Sequence, residues 1–356
     1  MSSTEPRHAQ VIGTGLIGGS IGMALRLAGW RVTGMDRDPQ VADRARERGA
    51  IDEVAIDGSA ELCVVALPVG SIVDAAREML DRSDWVVTDV GSVKGPIVAG
   101  VDSPRFVGGH PMAGSEQDGI AGSTGTMFQG AAWVVTPTET TDPTAHALAH
   151  TLAVSCGADV VTMSADDHDR VVAMVSHVPH LTAVTLMGMA ATRANDHAAL
   201  LRLAAGGFRD MTRIAAGHPG IWPDICAENR DAIVDVLDDI VAELQAVRSV
   251  VAGGDRAALL ERLTLARTAR LNLPTTAGPP EALTEIRVGV SDRPGVLAEI
   301  ATLATATSTN IYDLEIAHSA EGAQGVLILL VDAAAAAGFV DAIVGRGYRC
   351  SARDLT

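Results

Sequence analysis

The segment Gln10-Val-Ile-Gly-Thr-Gly-Leu-Ile-Gly-Gly-Ser20 constrains this chain more than any other. A short apolar strand runs into Gly13, Gly15 and Gly18, and a helix is predicted from Ile17 to Ala28. A GxGxxG pattern alone is weak evidence. Here it follows a strand, opens a helix and is trailed by Asp36 at the end of the next predicted strand, Arg31 to Met35. Gly13 permits the tight turn, Gly15 lets the backbone approach a pyrophosphate, and Gly18 permits close helix packing. The free N–H groups of the helix start offer a positive field to phosphates. Asp36 is placed to accept hydrogen bonds from ribose hydroxyls, which favours NAD, while Arg37 beside it leaves room for NADP. Leu16, Ile17, Leu67 and Pro68 complete the candidate cofactor-binding set.

Further apolar runs at Leu62 to Leu67, Trp85 to Val90, Arg105 to Val107 and Ala131 to Val135 alternate with helical stretches. That order predicts an α/β fold with a Rossmann-type doubly wound parallel sheet over residues 7–163. Beyond it, no strand is predicted between Asp166 and Leu273. Helices are expected at Asp167 to Thr192, Ala198 to Leu203, Phe208 to Ala216 and Trp222 to Val251, the last long and amphipathic. Residues 164–273 therefore read as an all-helical substrate and dimerisation domain. The Pro/Gly-rich residues 274–282 read as a linker. Residues 283–356 follow a β-α-β-β-α-β order, a ferredoxin-like unit.

Charge and composition narrow the function. A net charge of −17 with no long basic stretch disfavours nucleic acid and anionic membrane surfaces. No run of about 18 uninterrupted apolar residues predicts a membrane span, and the polar N-terminus carries no signal peptide. The cysteines Cys63, Cys156, Cys226 and Cys350 are scattered without a CxxC pair, against a zinc site or disulfide framework, so a cytoplasmic protein without a metal is expected. Of 27 basic residues only Lys94 is a lysine.

Three segments carry chemistry. Asp89-Val-Gly-Ser-Val-Lys94 closes a predicted strand, and ligands of open α/β sheets bind beyond the carboxyl ends of strands, so Ser92 and Lys94 stand where nicotinamide and substrate meet. The bland alternative is a polar turn with a solvated lysine. Gly108-Gly-His-Pro-Met-Ala-Gly-Ser-Glu116 sets His110 in another strand-end loop, where a neutral imidazole can draw off a hydroxyl proton as hydride leaves the same carbinol carbon. In the helical region, His177 and His180 share a helix face but lack an acidic partner for metal. Arg209 and Arg213 are four apart and suit carboxylates, although either alone usually marks an exposed helix face.

In combination, GxGLIGGS, DVGSVKG, GGHPMAGSE, SHVPH and GGFRDMTRIA, in that order, resemble the prephenate dehydrogenase family, which includes the arogenate dehydrogenases. The resemblance covers essentially the whole chain. It implies oxidative decarboxylation of prephenate to 4-hydroxyphenylpyruvate with NAD, with His110 as the catalytic histidine and Ser92 orienting it and the substrate hydroxyl. It implies that Arg213 holds a substrate carboxylate, that His180 lies near the substrate side chain, and that Ser115 and Glu116 line the pocket. Gly206 corresponds to a backbone position that reaches the neighbouring subunit's site, in a homodimer. Arg209 stands where some relatives carry lysine. Residues 283–356 resemble an ACT domain, which implies tyrosine or phenylalanine as effector near Asp292, Pro294, Gly295, Val296, Leu297, Asn310 and Ile311. Arogenate remains a rival substrate. A 3-hydroxyacid-type dehydrogenase is disfavoured by the GGHPMAGSE loop and the ACT-like end, and a non-catalytic NAD-dependent sensor by Ser92, His110 and Arg213.

Overall fold

The computed structural model describes residues 6–115, 117–194, 201–271, 283–291, 293–318 and 324–354. The predicted linker, Glu116 and Asp292 lie outside them, as does half of the predicted helix Ala198 to Leu203. Of that helix, Leu201–Leu203 is a single 3-10 turn. The chain forms two compact units. One comprises Met1–Arg202 and Met211–Val241, the other Leu203–Asp210 and Ala242–Thr356.

In the first unit, strands β1 (His8–Ile12), β2 (Arg31–Met35), β3 (Glu53–Val54), β4 (Leu62–Val65), β5 (Val86–Asp89), β6 (Phe106–Pro111), β7 (Ala132–Thr136) and β8 (Asp159–Thr162) build an eight-stranded sheet. Its order is β3-β2-β1-β4-β5-β6-β7-β8. Helices α1 (Leu16–Leu27), α2 (Pro39–Glu47), α3 (Val69–Arg82), α4 (Gly95–Gly100) and α5 (Pro143–Ser155) supply the crossovers. The strands β1, β4 and β5 are almost wholly buried, which explains their continuous apolar character: each has helices over both faces. The sheet departs from the fully parallel expectation at one place. β7 runs antiparallel to β6, pairing Val134 with His110, while β8 returns parallel to β7.

The helical stretch differs from its sequence reading in two places. The helix expected across Asp167 to Thr192 is α6 (Ala165–Val172), a π turn over Ala173–His177, and α7 (Val178–Ala194). Pro179 has no N–H to donate back along the helix, and the wider turn falls just ahead of it. Ser164 caps α6 by accepting the Asp167 N–H at 3.1 Å. The helix expected across Trp222 to Val251 is broken at Asn229 into α9 (Trp222–Glu228) and α10 (Arg230–Gly253). Asn229 is buried, and its side-chain amide donates to the Asp169 carbonyl at 2.9 Å and to His177 Nδ1 at 3.2 Å. A polar side chain fixed by tertiary bonds outweighs helical periodicity there. A small core of Val93, Ala173, Val178, Ile225 and Ile233 packs these helices against the loop after β5. The apolar run Ala165–Ala194 is long enough to cross a membrane by length and composition, yet its buried side chains His168, Asp169 and His180 have protein partners.

After α8 (Gly206–Thr212), which straddles the division between the units, the second unit contains α11 (Arg256–Leu271), absent from the sequence reading. It then contains a four-stranded antiparallel sheet of β9 (Leu283–Ser291), β10 (Ile311–His318), β11 (Gln324–Asp332) and β12 (Arg349–Asp354), in the order β10-β11-β9-β12. Helices α12 (Val296–Ala306) and α13 (Ala333–Gly345) cover the sheet through Ile300, Phe339 and Ile343.

Candidate active site

The glycine loop has the geometry of a nucleotide cradle. Gly13 adopts φ +87°, and a side chain on it would overlap the Ala66 carbonyl and Leu67. A side chain on Gly18 would overlap the Gly13 carbonyl. Around Gly15, the residue that caps α1, the space is open, so a ligand can approach the backbone there. Asp36 accepts the Thr14 N–H at 2.8 Å and the Asp38 N–H at 3.0 Å, which holds its carboxylate beside the loop. Thr14 Oγ1 is buried without a partner among the described residues. Leu16, Ile17 and Leu67 are half-buried around this loop, and Pro68, which caps α3, and Arg37 are exposed. The residues present fit a bound dinucleotide.

At the carboxyl ends of β5 and β6, two buried charges organise the loops. Asp89 and Lys94 form an ion pair with neither side chain exposed. Asp89 also accepts the Gly91 N–H at 2.8 Å and the Gly109 N–H at 3.1 Å, while Lys94 donates to the Gly109 carbonyl at 2.8 Å. Lys94 thus spends its ammonium inside the protein, on the residue before His110, rather than at an open ligand surface. Burial pushes its pKa down, and Asp89 opposes that shift. Ser92 lies between these two anchors, half-buried.

His110 closes β6 and is 8% exposed. Its Nδ1 lies 2.8 Å from Nε2 of His168, and Nδ1 of His168 lies 2.7 Å from Oδ1 of Asp169. Asp169 in turn accepts the backbone N–H groups of Lys94 and Gly95 at 2.8 and 2.7 Å. Burial first, then the nearby His168, Lys94 and His177, hold the His110 pKa well below its usual value. The imidazole is therefore neutral at physiological pH, as a proton acceptor must be. His168, Asp169, Asp89 and Asn229 were not singled out from sequence. The adjacent His-Asp pair at the start of a helix was visible, but nothing local connects it to a loop 58 residues upstream.

His180 stacks on Trp222 with ring centroids 3.6 Å apart and planes 9° from parallel. His177 meets the same indole edge-on, and burial lowers its pKa to about 4. The turn Arg213–Ala216 packs on α7, and a side chain on Gly217, just after it, would touch the His180 ring. Arg213 is exposed on this turn, within the unit that holds His110. Arg209 and Gly206 are exposed on α8, in a segment grouped with the second unit. Ser115 is exposed and accepts the Gln117 N–H at 3.1 Å. In the second unit, Pro294, Gly295, Val296 and Leu297 line a cavity of about 550 Å³ together with Arg293, Ile316 and Leu327. Asn310 and Ile311 do not line it; Ile311 packs against the core.

A dinucleotide cradle, a neutral histidine at the sheet rim and a helical partner region define an NAD-dependent oxidoreductase of the Rossmann class. Two family models match the chain: prephenate dehydrogenase, nucleotide-binding domain, over residues 21–162, and prephenate dehydrogenase, dimerization domain, over residues 164–265. The chain belongs to the prephenate dehydrogenase family. A prephenate dehydrogenase of Bacillus subtilis (strain 168) is 34% identical over 331 residues, 88% of this chain and 89% of that relative. A cyclohexadienyl dehydrogenase of Zymomonas mobilis is 34% identical over 283 residues, 76% of this chain and 97% of that relative. The crystal structure of prephenate dehydrogenase from Aquifex aeolicus in complex with hydroxyphenyl propionate and NAD+ matches with a TM-score of 0.71 at 29% identity. It covers 77% of this chain and 100% of that one.

Proposed function

We propose that the chain oxidises and decarboxylates prephenate to 4-hydroxyphenylpyruvate. The observation that carries this reading is a neutral, almost fully buried His110 whose Nδ1 side is occupied by His168, which leaves Nε2 for a substrate hydroxyl. NAD+, when bound on the Gly13–Gly18 loop and Asp36, supplies the hydride acceptor. His110 accepts the hydrogen bond of the C4 hydroxyl as hydride leaves C4, and Ser92 orients that hydroxyl. The ring carboxylate departs as CO₂ and the ring becomes aromatic. The hydroxyl proton is lent to His110 rather than released, so no net proton is produced. Arg213 holds a substrate carboxylate, His180, kept in place by Trp222, borders the side chain, and Ser115 lines the pocket. The protein's task is orientation and polarisation, because aromatisation drives the step. The B. subtilis relative and the ligand-bound A. aeolicus structure support this substrate class.

The cyclohexadienyl dehydrogenase relative supports arogenate as a second substrate to be tested. NADH formation measured with prephenate and arogenate side by side, each with NAD+ and NADP+, decides the assignment. Rapid turnover of prephenate with NAD+ is expected; turnover confined to arogenate overturns it.

We further propose that the chain works as a homodimer, in which the exposed Leu244, Leu260, Leu263 and Leu265 are covered. The β9–β12 unit is proposed as an ACT-like sensor. Its cavity at the start of α12 takes tyrosine or phenylalanine. Removing residues 283–356 is expected to abolish feedback by either amino acid while leaving catalysis in place; unchanged inhibition overturns the assignment.

A further inference from the structure

The family reading gives His110 its role but does not say what fixes the imidazole in a form able to play it. A neutral histidine has two tautomers, and only one leaves Nε2 as the acceptor. The side chains behind His110 decide between them. Asp169 is the fixed point. Its two oxygens accept the backbone N–H groups of Lys94 and Gly95, at 2.8 and 2.7 Å, so both already act as acceptors. Its Oδ1 also faces Nδ1 of His168 at 2.7 Å, and a carboxylate there requires His168 to carry its proton on Nδ1. Nε2 of a neutral His168 is then a lone pair. That lone pair lies 2.8 Å from Nδ1 of His110, so His110 must carry its proton on Nδ1 and present a bare Nε2.

We propose that His168 and Asp169 are positioning residues that lock His110 in its Nδ1–H tautomer and so create the proton acceptor. The proposal rests on the reading of His110 given above. The assignment follows in one direction along the chain Asp169–His168–His110, and each link is a short contact between buried residues. The rings of His110 and His168 meet at 74°, which aims the edge of one at the edge of the other rather than stacking them. As the substrate hydroxyl hydrogen shifts toward Nε2, the Nδ1–H bond polarises toward His168, and part of the positive charge falls beside the Asp169 carboxylate. Nothing is gained or lost in the exchange: the proton returns to the product oxygen and the relay to its starting tautomer. The logic is that of a base oriented by a third group, which recurs wherever an imidazole must hold one face ready.

Two variants and one spectrum test this on the full chain. His168→Leu removes the acceptor, and His168→Gln restores one, because an amide oxygen can stand near the place of Nε2. The expected result is a kcat lowered roughly 10- to 100-fold in His168→Leu, part of what a general base contributes, with KM and NAD+ affinity unchanged. His168→Gln should recover at least tenfold of any larger loss. Nitrogen-15 NMR of the imidazoles, with His110 assigned by the His110→Asn spectrum, should show one tautomer in the parent, protonated on Nδ1, and a mixture in His168→Leu. An Nε2–H tautomer in the parent overturns the proposal. So does a His168→Leu enzyme with kcat within twofold of the parent, or equal losses in both variants, since packing rather than the acceptor would then be responsible. The tautomer is read without substrate, so a failed prephenate assignment and a failed relay give different results.

Discussion

Lys94 and Asp89 hold both backbone polar groups of one residue: Asp89 takes the Gly109 N–H and Lys94 gives to the Gly109 carbonyl, with their own ion pair fully buried between them. The ladder pairing β5 with β6 ends at Thr88 and Val107. From there to His110 the side-chain clamp continues what the backbone has stopped doing.

Breaking that clamp from one side leaves a charge uncompensated in the interior. Lys94→Met is expected to cost about 3–5 kcal/mol of stability, the usual penalty for orphaning one member of a buried pair. Urea unfolding of parent and variant measures it. A change under about 1 kcal/mol would show that Asp89 finds another partner.

His110→Asn should retain NAD+ binding and lose roughly 10²–10⁴ in kcat, because the proton acceptor is gone while the cradle is untouched. Fluorescence titration with NADH and steady-state turnover separate the two quantities.

Arg213→Ala is expected to raise KM for prephenate with little change in kcat, since it removes binding shared by ground and transition states. An unaltered KM would place the carboxylate clamp elsewhere.

His177 is held neutral by burial, with a pKa of about 4 against 6.5 for the free side chain. Between these values the unfolded chain binds a proton that the folded one refuses, so stability falls as pH drops from about 6.5 toward 4 and is fully present above that window. His177→Gln should flatten this part of the Tm-against-pH curve. A curve of unchanged slope would assign the effect to other groups, His110 first among them, since its pKa is also depressed.

The elements a sequence displays best are those set by local pattern. The Gly13–Gly18 turn, the apolar strands at Leu62 and Trp85, and the β-α-β-β-α-β order of the last unit all rest on spacing, and each stands where spacing puts it. What spacing does not carry is pairing across distance. His168 reads as an ordinary helix-start residue until it meets His110, and Asn229 reads as helix interior until its amide is claimed by Asp169 and His177. Lys94 was conspicuous for its rarity, yet rarity does not say whether a cation faces a ligand or a buried carboxylate. The reversed direction of β7 likewise has no signature in the strand itself, because a buried apolar run reads the same in either sense.

The wide turn at Ala173–His177 sets the phase of everything after it. In a helix of uniform pitch, His168 and His177 would stand on roughly opposite sides, at about 100° per residue. The extra residue absorbed by the π turn takes back about one step of that rotation, bringing the two histidines to within roughly a right angle. Equal-length changes on the outer face of this stretch are therefore tolerable, and deleting one residue within the turn would restore ordinary winding while leaving His177 and His180 close to their present phase, whereas tightening the turn to uniform pitch at its full length would swing both histidines away from the relay.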